Sequence, residues 1–324
     1  MPLPAYHRER IDTPDGDFLD LDWCYGEPDK AGTPSANDDA PQARGAGGMP
    51  PAETPLVVLF HGLEGSSSSH YARALMHAVT AQGWLGVVVH FRGCSGEPNR
   101  LPRAYHSGDS AEIGWVLQKL RQHHAQIFAV GVSLGGNALL KWLGEQGART
   151  RGTLSAAAAI SVPYDLAAAD RSLSSGLGRF YARHFLRSLV PGTLVKAQRF
   201  PGHHGLDRLD AIRSARTLRQ FDDVVTAPLH GFQDADDYYA HSSSGQYLQG
   251  ITVPTLLLHA RNDPFLPPQA IPHAAALPSQ VRLELSGQGG HAGFVDSSFP
   301  GQLNWLPQRL LVHFAQHMGH NRVA

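Results

Sequence analysis

Apolar residues fall along this chain in two rhythms that take turns. Short apolar runs, of the kind that fill strands buried on both faces, occupy 56–61, 85–89, 127–131 and 254–259, and 281–285 reads as a further strand. Between them the spacing is helical. Tyr71, Leu75, Ala78 and Val79 mark a helix over 70–82 that Gly83 stops. Asp109 or Ser110 caps a second helix with Ile113, Val116, Leu117 and Leu120 on one face. A third follows at 138–145, another is expected near 268–276, and Leu303, Leu306, Leu310 and Phe314 share one face of the last. The run 154–162 suits strand or helix by composition, and its place in the alternation argues for a strand. Strands alternating with helices predict an α/β fold with a mostly parallel central sheet flanked by helices. Before that pattern begins, Asp15-Gly16 lies between two strand-like segments, with Phe18, Leu19, Leu21 and Trp23 in the second. This predicts an N-terminal antiparallel hairpin.

Two stretches break the alternation. Residues 27–53 are rich in Gly, Pro, Ala, Asp and Asn and are expected to be a disordered insertion. Residues 164–249 show helical patterns without strands and fall between two core strands. In an α/β protein such an insertion covers the carboxyl ends of the strands, so a helical cap on a single domain spanning 1–324 is expected. Leu177, Phe180, Tyr181, Phe185 and Leu189 should line one side of a cap helix, while Arg179, Arg183 and Arg187 recur every four residues on another. Those arginines suit a solvated helix face, or attraction to an anionic substrate group or a phospholipid surface.

Composition narrows the function classes. The chain has 324 residues, 42% of them hydrophobic and 17% charged, and a formal net charge of −1. That balance gives no electrostatic case for nucleic acid. No apolar run approaches the ~20 residues of a membrane span, so no stable membrane insertion is expected, only weak contact between cap and lipid surface. The first residues lack the apolar centre of a signal peptide. Two cysteines, Cys24 and Cys94, make no disulfide framework. A cytoplasmic protein is the expectation, with no signature of its oligomeric state. Nineteen histidines invite a metal site, yet His123-His124 and His203-His204 have no partner at a ligand spacing and no His-Glu-x-x-His occurs. Neither metal nor organic cofactor is therefore expected.

The chemistry gathers around Gly131-Val132-Ser133-Leu134-Gly135, set between an apolar strand and a helix. A serine on so sharp a strand-to-helix turn is lifted out of the sheet towards a helix N-terminus, where negative charge is favoured. A serine hydroxyl is a weak nucleophile without a base. His291 is the candidate base, in a glycine-rich loop directly after the last core strand. Asp263, between serine and histidine in chain order and just past 254–259, is the candidate orienting acid. Asp296 is a rival that breaks that order. An oxyanion needs two donors. Leu134 N–H follows the nucleophile, and Leu63 N–H lies in the Gly62–Gly65 loop after the first parallel strand. That loop lacks the Gly-Lys-Ser/Thr ending of a nucleotide-binding loop.

Together these segments resemble the α/β-hydrolase superfamily. More narrowly, His61-Gly62-Leu63-Glu64-Gly65, Arg92-Gly93-Cys94, Gly131 to Asn137 and Gly289-Gly290-His291-x-Gly-Phe294 resemble the YheT-like esterases, relatives of abhydrolase-domain lipases, over roughly 15–318. The resemblance implies a Ser133–Asp263–His291 triad acting on a small-molecule carboxylic ester of short- to medium-chain acids. Two other functions use the same pocket: an acyltransferase passing the acyl group from a thioester to an alcohol, and a small-molecule binding protein without turnover.

Overall fold

The computed structural model describes residues 3–25, 52–296 and 301–319. The stretch expected to be a disordered insertion, 27–53, lies almost wholly outside them.

Eight strands form one sheet in the order β1-β2-β4-β3-β5-β6-β7-β8. The hairpin comes first. Thr13 N–H donates to the Asp17 carbonyl at 3.0 Å and Gly16 turns at φ 87°, joining β1 (Tyr6–Asp12) to β2 (Phe18–Cys24). β2 is buried on both faces, aspartates included. Arg10 Nε meets Asp20 at 2.8 Å and Arg8 Nε meets Asp22 at 2.7 Å, so each buried carboxylate has a guanidinium from the neighbouring strand.

β2 runs antiparallel to β4 (Leu85–His90), and from there the sheet is parallel: β3 (Leu56–Phe60), β5 (Ile127–Val132), β6 (Ala156–Ile160), β7 (Thr255–Ala260) and β8 (Val281–Ser286). This is the mostly parallel sheet with an antiparallel start that the apolar runs predict. α1 (His70–Ala81) and the C-terminal helix Trp305–Ala315 pack on one face with the apolar side chains Val57, Phe128 and Leu256. α2 (Ser110–Arg121) and α3 (Leu134–Gln146) pack on the other with Val58, Ala129 and Leu257. Burial on both sides is why β3, β5 and β6 in the middle of the sheet are apolar throughout, whereas the edge strand β8 carries Arg282 and Glu284.

Strand order reverses at β3, which has β4 on one side and β5 on the other. The crevice beyond the carboxyl ends of two such strands is where ligands bind in α/β sheets. Between β6 and β7 come α4 (Leu166–Leu173), α5 (Gly178–Arg199), α6 (Leu209–Ser214), α7 (Leu218–Phe221), a π-turn at Asp222–Thr226, α8 (Ala227–Leu229) and α9 (Ala235–Ser242). Strands are indeed missing from this stretch.

Two expectations need correction. No helix forms over 268–276. Two single 3₁₀ turns, Pro268–Ala270 and Ala274–Ala276, stand there instead. Pro272 removes a backbone donor, and Ile271 before it is extended at ψ 129°. The apolar side of the cap helix is also split. Phe185 and Leu189 face inwards, but Leu177, Phe180 and Tyr181 are exposed at 73%, 67% and 42%.

Candidate active site

Ser133 sits where β5 becomes α3, with φ 52° and ψ −117°, a strained setting for a residue with a side chain. The surroundings hold it there. Ser133 N–H donates to the Ile160 carbonyl at 2.8 Å, and its own carbonyl accepts from Asn137 N–H at 2.9 Å. The flanking glycines are sterically required. A Cβ on Gly131 would lie 2.5 Å from Gly136 Cα, and one on Gly135 would lie 2.5 Å from the His61 carbonyl. α3 can therefore press directly on the ends of β3 and β5.

His291 arrives from the loop after β8, its side chain 18% exposed. Its Nε2 is 2.8 Å from Ser133 Oγ. Its Nδ1 is 2.9 Å and 3.1 Å from the two oxygens of Asp263, whose side chain is only 1% exposed. The Asp263 carboxylate also accepts Phe265 N–H at 2.9 Å. Asn262 Oδ1 accepts from Gly289 N–H and Gly290 N–H, both at 3.0 Å, tying the loop after β7 to the one carrying the histidine. The Phe265 ring stacks on the imidazole with centroids 3.9 Å apart. Asp263 thus meets His291. The rival Asp296 instead bridges to Gln302 through its backbone.

The loop after β3 is fixed by side chains beneath it. His61 is fully buried, which pushes its pKa down to about 3 and keeps it neutral. Its Nδ1–H donates to the Gly62 carbonyl at 2.8 Å, while Nε2 accepts Phe91 N–H at 3.1 Å. Gly62 N–H donates to Tyr71 Oη at 2.9 Å and Glu64 N–H to Tyr105 Oη at 2.8 Å. Among the described residues, Leu63 N–H between them and Leu134 N–H at the start of α3 donate to no protein acceptor. Both residues border the same cavity as Ser133 and His291.

That cavity measures about 370 Å³ and lies between the strand ends and the helices that follow β6. Leu134, Leu173, Leu189, Leu206 and Phe265 make its walls largely apolar. Polar groups sit among them. Burial pushes the Asp222 carboxyl up to about 7, with the nearby charges of Asp170 and Asp223 adding to the effect. Tyr239 Oη donates to it at 2.8 Å. Burial pulls Lys196 down to about 8. The sequence reading missed these cavity-lining groups, and no local pattern marks them because chain segments far apart bring them together. It also passed over Asn137, although one signal was present. It lies one helical turn after Ser133. Its buried amide donates to the Ser107 and Ser242 carbonyls at 2.8 and 2.7 Å and accepts Ser244 N–H at 2.9 Å. Among the described residues no three His, Cys, Asp or Glu side chains converge as metal ligands. No helix among them is long and apolar enough to cross a membrane.

Known proteins resemble this chain in sequence and fold. A family described as alpha/beta hydrolase fold matches residues 55–298. The Escherichia coli (strain K12) protein YheT, provisionally named an esterase, is 40% identical over 304 residues, covering 93% of this chain and 82% of its own length. Phospholipase ABHD3 of Bos taurus is 30% identical over 322 residues, covering 98% of this chain and 73% of its own. Among solved structures, an esterase of Pyrococcus furiosus has a TM-score of 0.55 over 97% of this chain and 92% of that one. At 15% identity it shares the fold alone.

Proposed function

This chain belongs to the α/β-hydrolase fold family, among its YheT-like members, as an esterase- and lipase-like hydrolase, and on that premise we propose that it cleaves carboxylic esters of short- to medium-chain acids through Ser133, His291 and Asp263. Ser133 Oγ attacks the ester carbonyl as His291 Nε2 takes its proton. Asp263 holds the ring so that Nε2 is the free acceptor, and it stabilises the imidazolium that forms. Charge develops on the carbonyl oxygen, where the N–H groups of Leu63 and Leu134 receive it. The imidazolium returns the proton to the departing alcohol, leaving an acyl-enzyme. Water, deprotonated by His291, then releases the acid. The helices within 164–249 act as a cap that excludes bulk water from these steps.

The observation that carries this reading is the unbroken chain of hydrogen bonds, 2.9 Å from Asp263 to His291 and 2.8 Å on to Ser133. The acyl preference is supported by the apolar walls of a cavity of about 370 Å³, within the range of small-molecule sites, roughly 300–1,000 Å³. A ladder of p-nitrophenyl esters of increasing acyl length tests both. The rate should peak at short to medium chains and fall by about 10⁴-fold or more in Ser133→Ala. A folded protein that cleaves none of the ladder, or a Ser133→Ala variant that keeps the wild-type rate, refutes the proposal. Adding an alcohol to the same assay and measuring ester product reads any acyl transfer.

A further inference from the structure

The helix that walls the cavity also presents an outward face that nothing in the catalytic scheme uses. Gly178, Ala182 and Leu186 of α5 are buried, and Phe185, Leu189 and Lys196 border the cavity. The outward positions are unlike an ordinary solvated face. Leu177, just before the helix, and Phe180 and Tyr181 on its first turn are exposed at 73%, 67% and 42%. Beside them Arg179, Arg183 and Arg187 stand exposed at four-residue spacing. None of the three meets a carboxylate among the described residues. The 22 residues of α5 contain no Asp or Glu at all, in a chain whose net charge is only −1. A solvated helix normally interleaves both signs, and exposed aromatic residues lose free energy in water.

The patch is also joined to the reaction centre. Tyr181 packs against Phe265 with centroids 4.7 Å apart, and Phe265 stacks on His291 at 3.9 Å. One helix therefore has its inner side on the cavity and its outer side carrying apolar anchors among unpaired cations, two aromatic rings from the imidazole. Apolar anchors with arginines alongside match an interface where acyl chains begin beneath anionic headgroups.

We propose that the outer face of α5, carrying Leu177, Phe180, Arg179, Arg183 and Arg187, docks the protein on an anionic lipid surface with the cavity beside the bilayer. This rests on the ester-hydrolase reading for its purpose and for the folding control in its test, while the vesicle-binding readout is independent of that reading. Leu177 and Phe180 enter the boundary between headgroups and chains, and the three guanidiniums meet phosphates. An ester from that layer then reaches Ser133 along the apolar wall without crossing bulk water.

Sedimentation with vesicles, run alongside hydrolysis of a short water-soluble ester, tests it. The full chain should bind vesicles containing phosphatidylglycerol, bind phosphatidylcholine vesicles far less, and lose binding at high salt. Arg179→Gln/Arg183→Gln/Arg187→Gln should lower partitioning on the order of a hundredfold. Leu177→Ser/Phe180→Ser should lower it about tenfold or more. Both variants should keep wild-type turnover of the soluble ester, which shows that they fold and separates loss of docking from loss of catalysis. Absence of wild-type binding to anionic vesicles overturns the proposal, as does binding that ignores lipid charge or survives the triple substitution. A dimer that depends on Phe180, formed by protein that binds no vesicles, also overturns it and assigns the face to a second copy.

Discussion

Asp263→Asn is the most informative single substitution, because a neighbouring backbone group dictates how the new amide must sit. Phe265 N–H donates to Asp263 Oδ1 at 2.9 Å, and the side chain is only 1% exposed. In the variant this N–H requires the amide oxygen at Oδ1, which puts the NH₂ where Oδ2 now stands, 2.9 Å from His291 Nδ1. Two donors cannot share that shorter contact, and the Oδ1 position 3.1 Å from Nδ1 is already taken by Phe265 N–H, so Nδ1 is expected to offer its lone pair to the NH₂ and the ring proton to move to Nε2. Nε2 is the atom 2.8 Å from Ser133 Oγ. Carrying a proton, it can no longer accept one from the serine. The size and packing of the side chain barely change, so the fold should survive. A wrong tautomer of this kind costs on the order of 10⁴ in turnover, or about 5.5 kcal/mol of transition-state stabilisation. The assay is kcat/KM on a short p-nitrophenyl ester, with circular dichroism to confirm folding. Ser133→Ala/Asp263→Asn should be no slower than Ser133→Ala, since the residues act as one unit. A folded Asp263→Asn variant within tenfold of wild type would refute the reasoning.

Three other perturbations separate scaffold from chemistry. Gly135→Ala drives a Cβ to 2.5 Å from the His61 carbonyl. It should cost roughly 1–3 kcal/mol in thermal unfolding and lower kcat/KM further by displacing the Leu63 loop, so unchanged values would show the contact to be harmless. Asn137→Ala strands the carbonyls of Ser107 and Ser242 and the Ser244 N–H, all buried. A loss of roughly 2–4 kcal/mol in urea unfolding is expected, whereas a loss below ~0.5 kcal/mol contradicts that role. For Asp222 the carboxyl is pushed up to about 7 from 3.8, so the folded state holds its proton more tightly than the unfolded chain. Stability contributed this way is present below the unfolded value and is lost as pH rises through about 7. Asp222→Asn should therefore gain in Tm over wild type as pH is raised from 5 to 8, and a gap that stays constant across that range would be contrary to the assignment.

How much could be read from the sequence follows from how local each signal is. Strands buried on both faces announce themselves as apolar runs, and Val57 to Phe60 and Leu256 to Leu258 are 0% exposed. Gly131 and Gly135 were legible as a pair because the tight turn excludes any Cβ there. His291 was a candidate through its glycine-rich loop after the last core strand, and Asp263 through chain order and its place just past 254–259; the structure places His291 against Ser133 and Asp263 against His291. The helix expected near 268–276 does not form because Pro272 lacks a donor and holds Ile271 extended between two 3₁₀ turns. The split face of α5 had a different cause. Helical spacing groups residues by angle, but it cannot tell a cavity from an interface when both are apolar. Leu177 and Leu189 therefore looked alike, though one faces out and the other in. Asp20 and Asp22 are 1% and 3% exposed despite their charge. Only the pairing of β1 with β2 supplies the arginines that make such burial tolerable.

Reaction of the folded protein with a fluorophosphonate, followed by peptide mapping, tests the central claim most directly. The account predicts one phosphonyl adduct, carried by Ser133 and missing in Ser133→Ala. No adduct on folded wild-type protein, or an adduct on another residue, would contradict it.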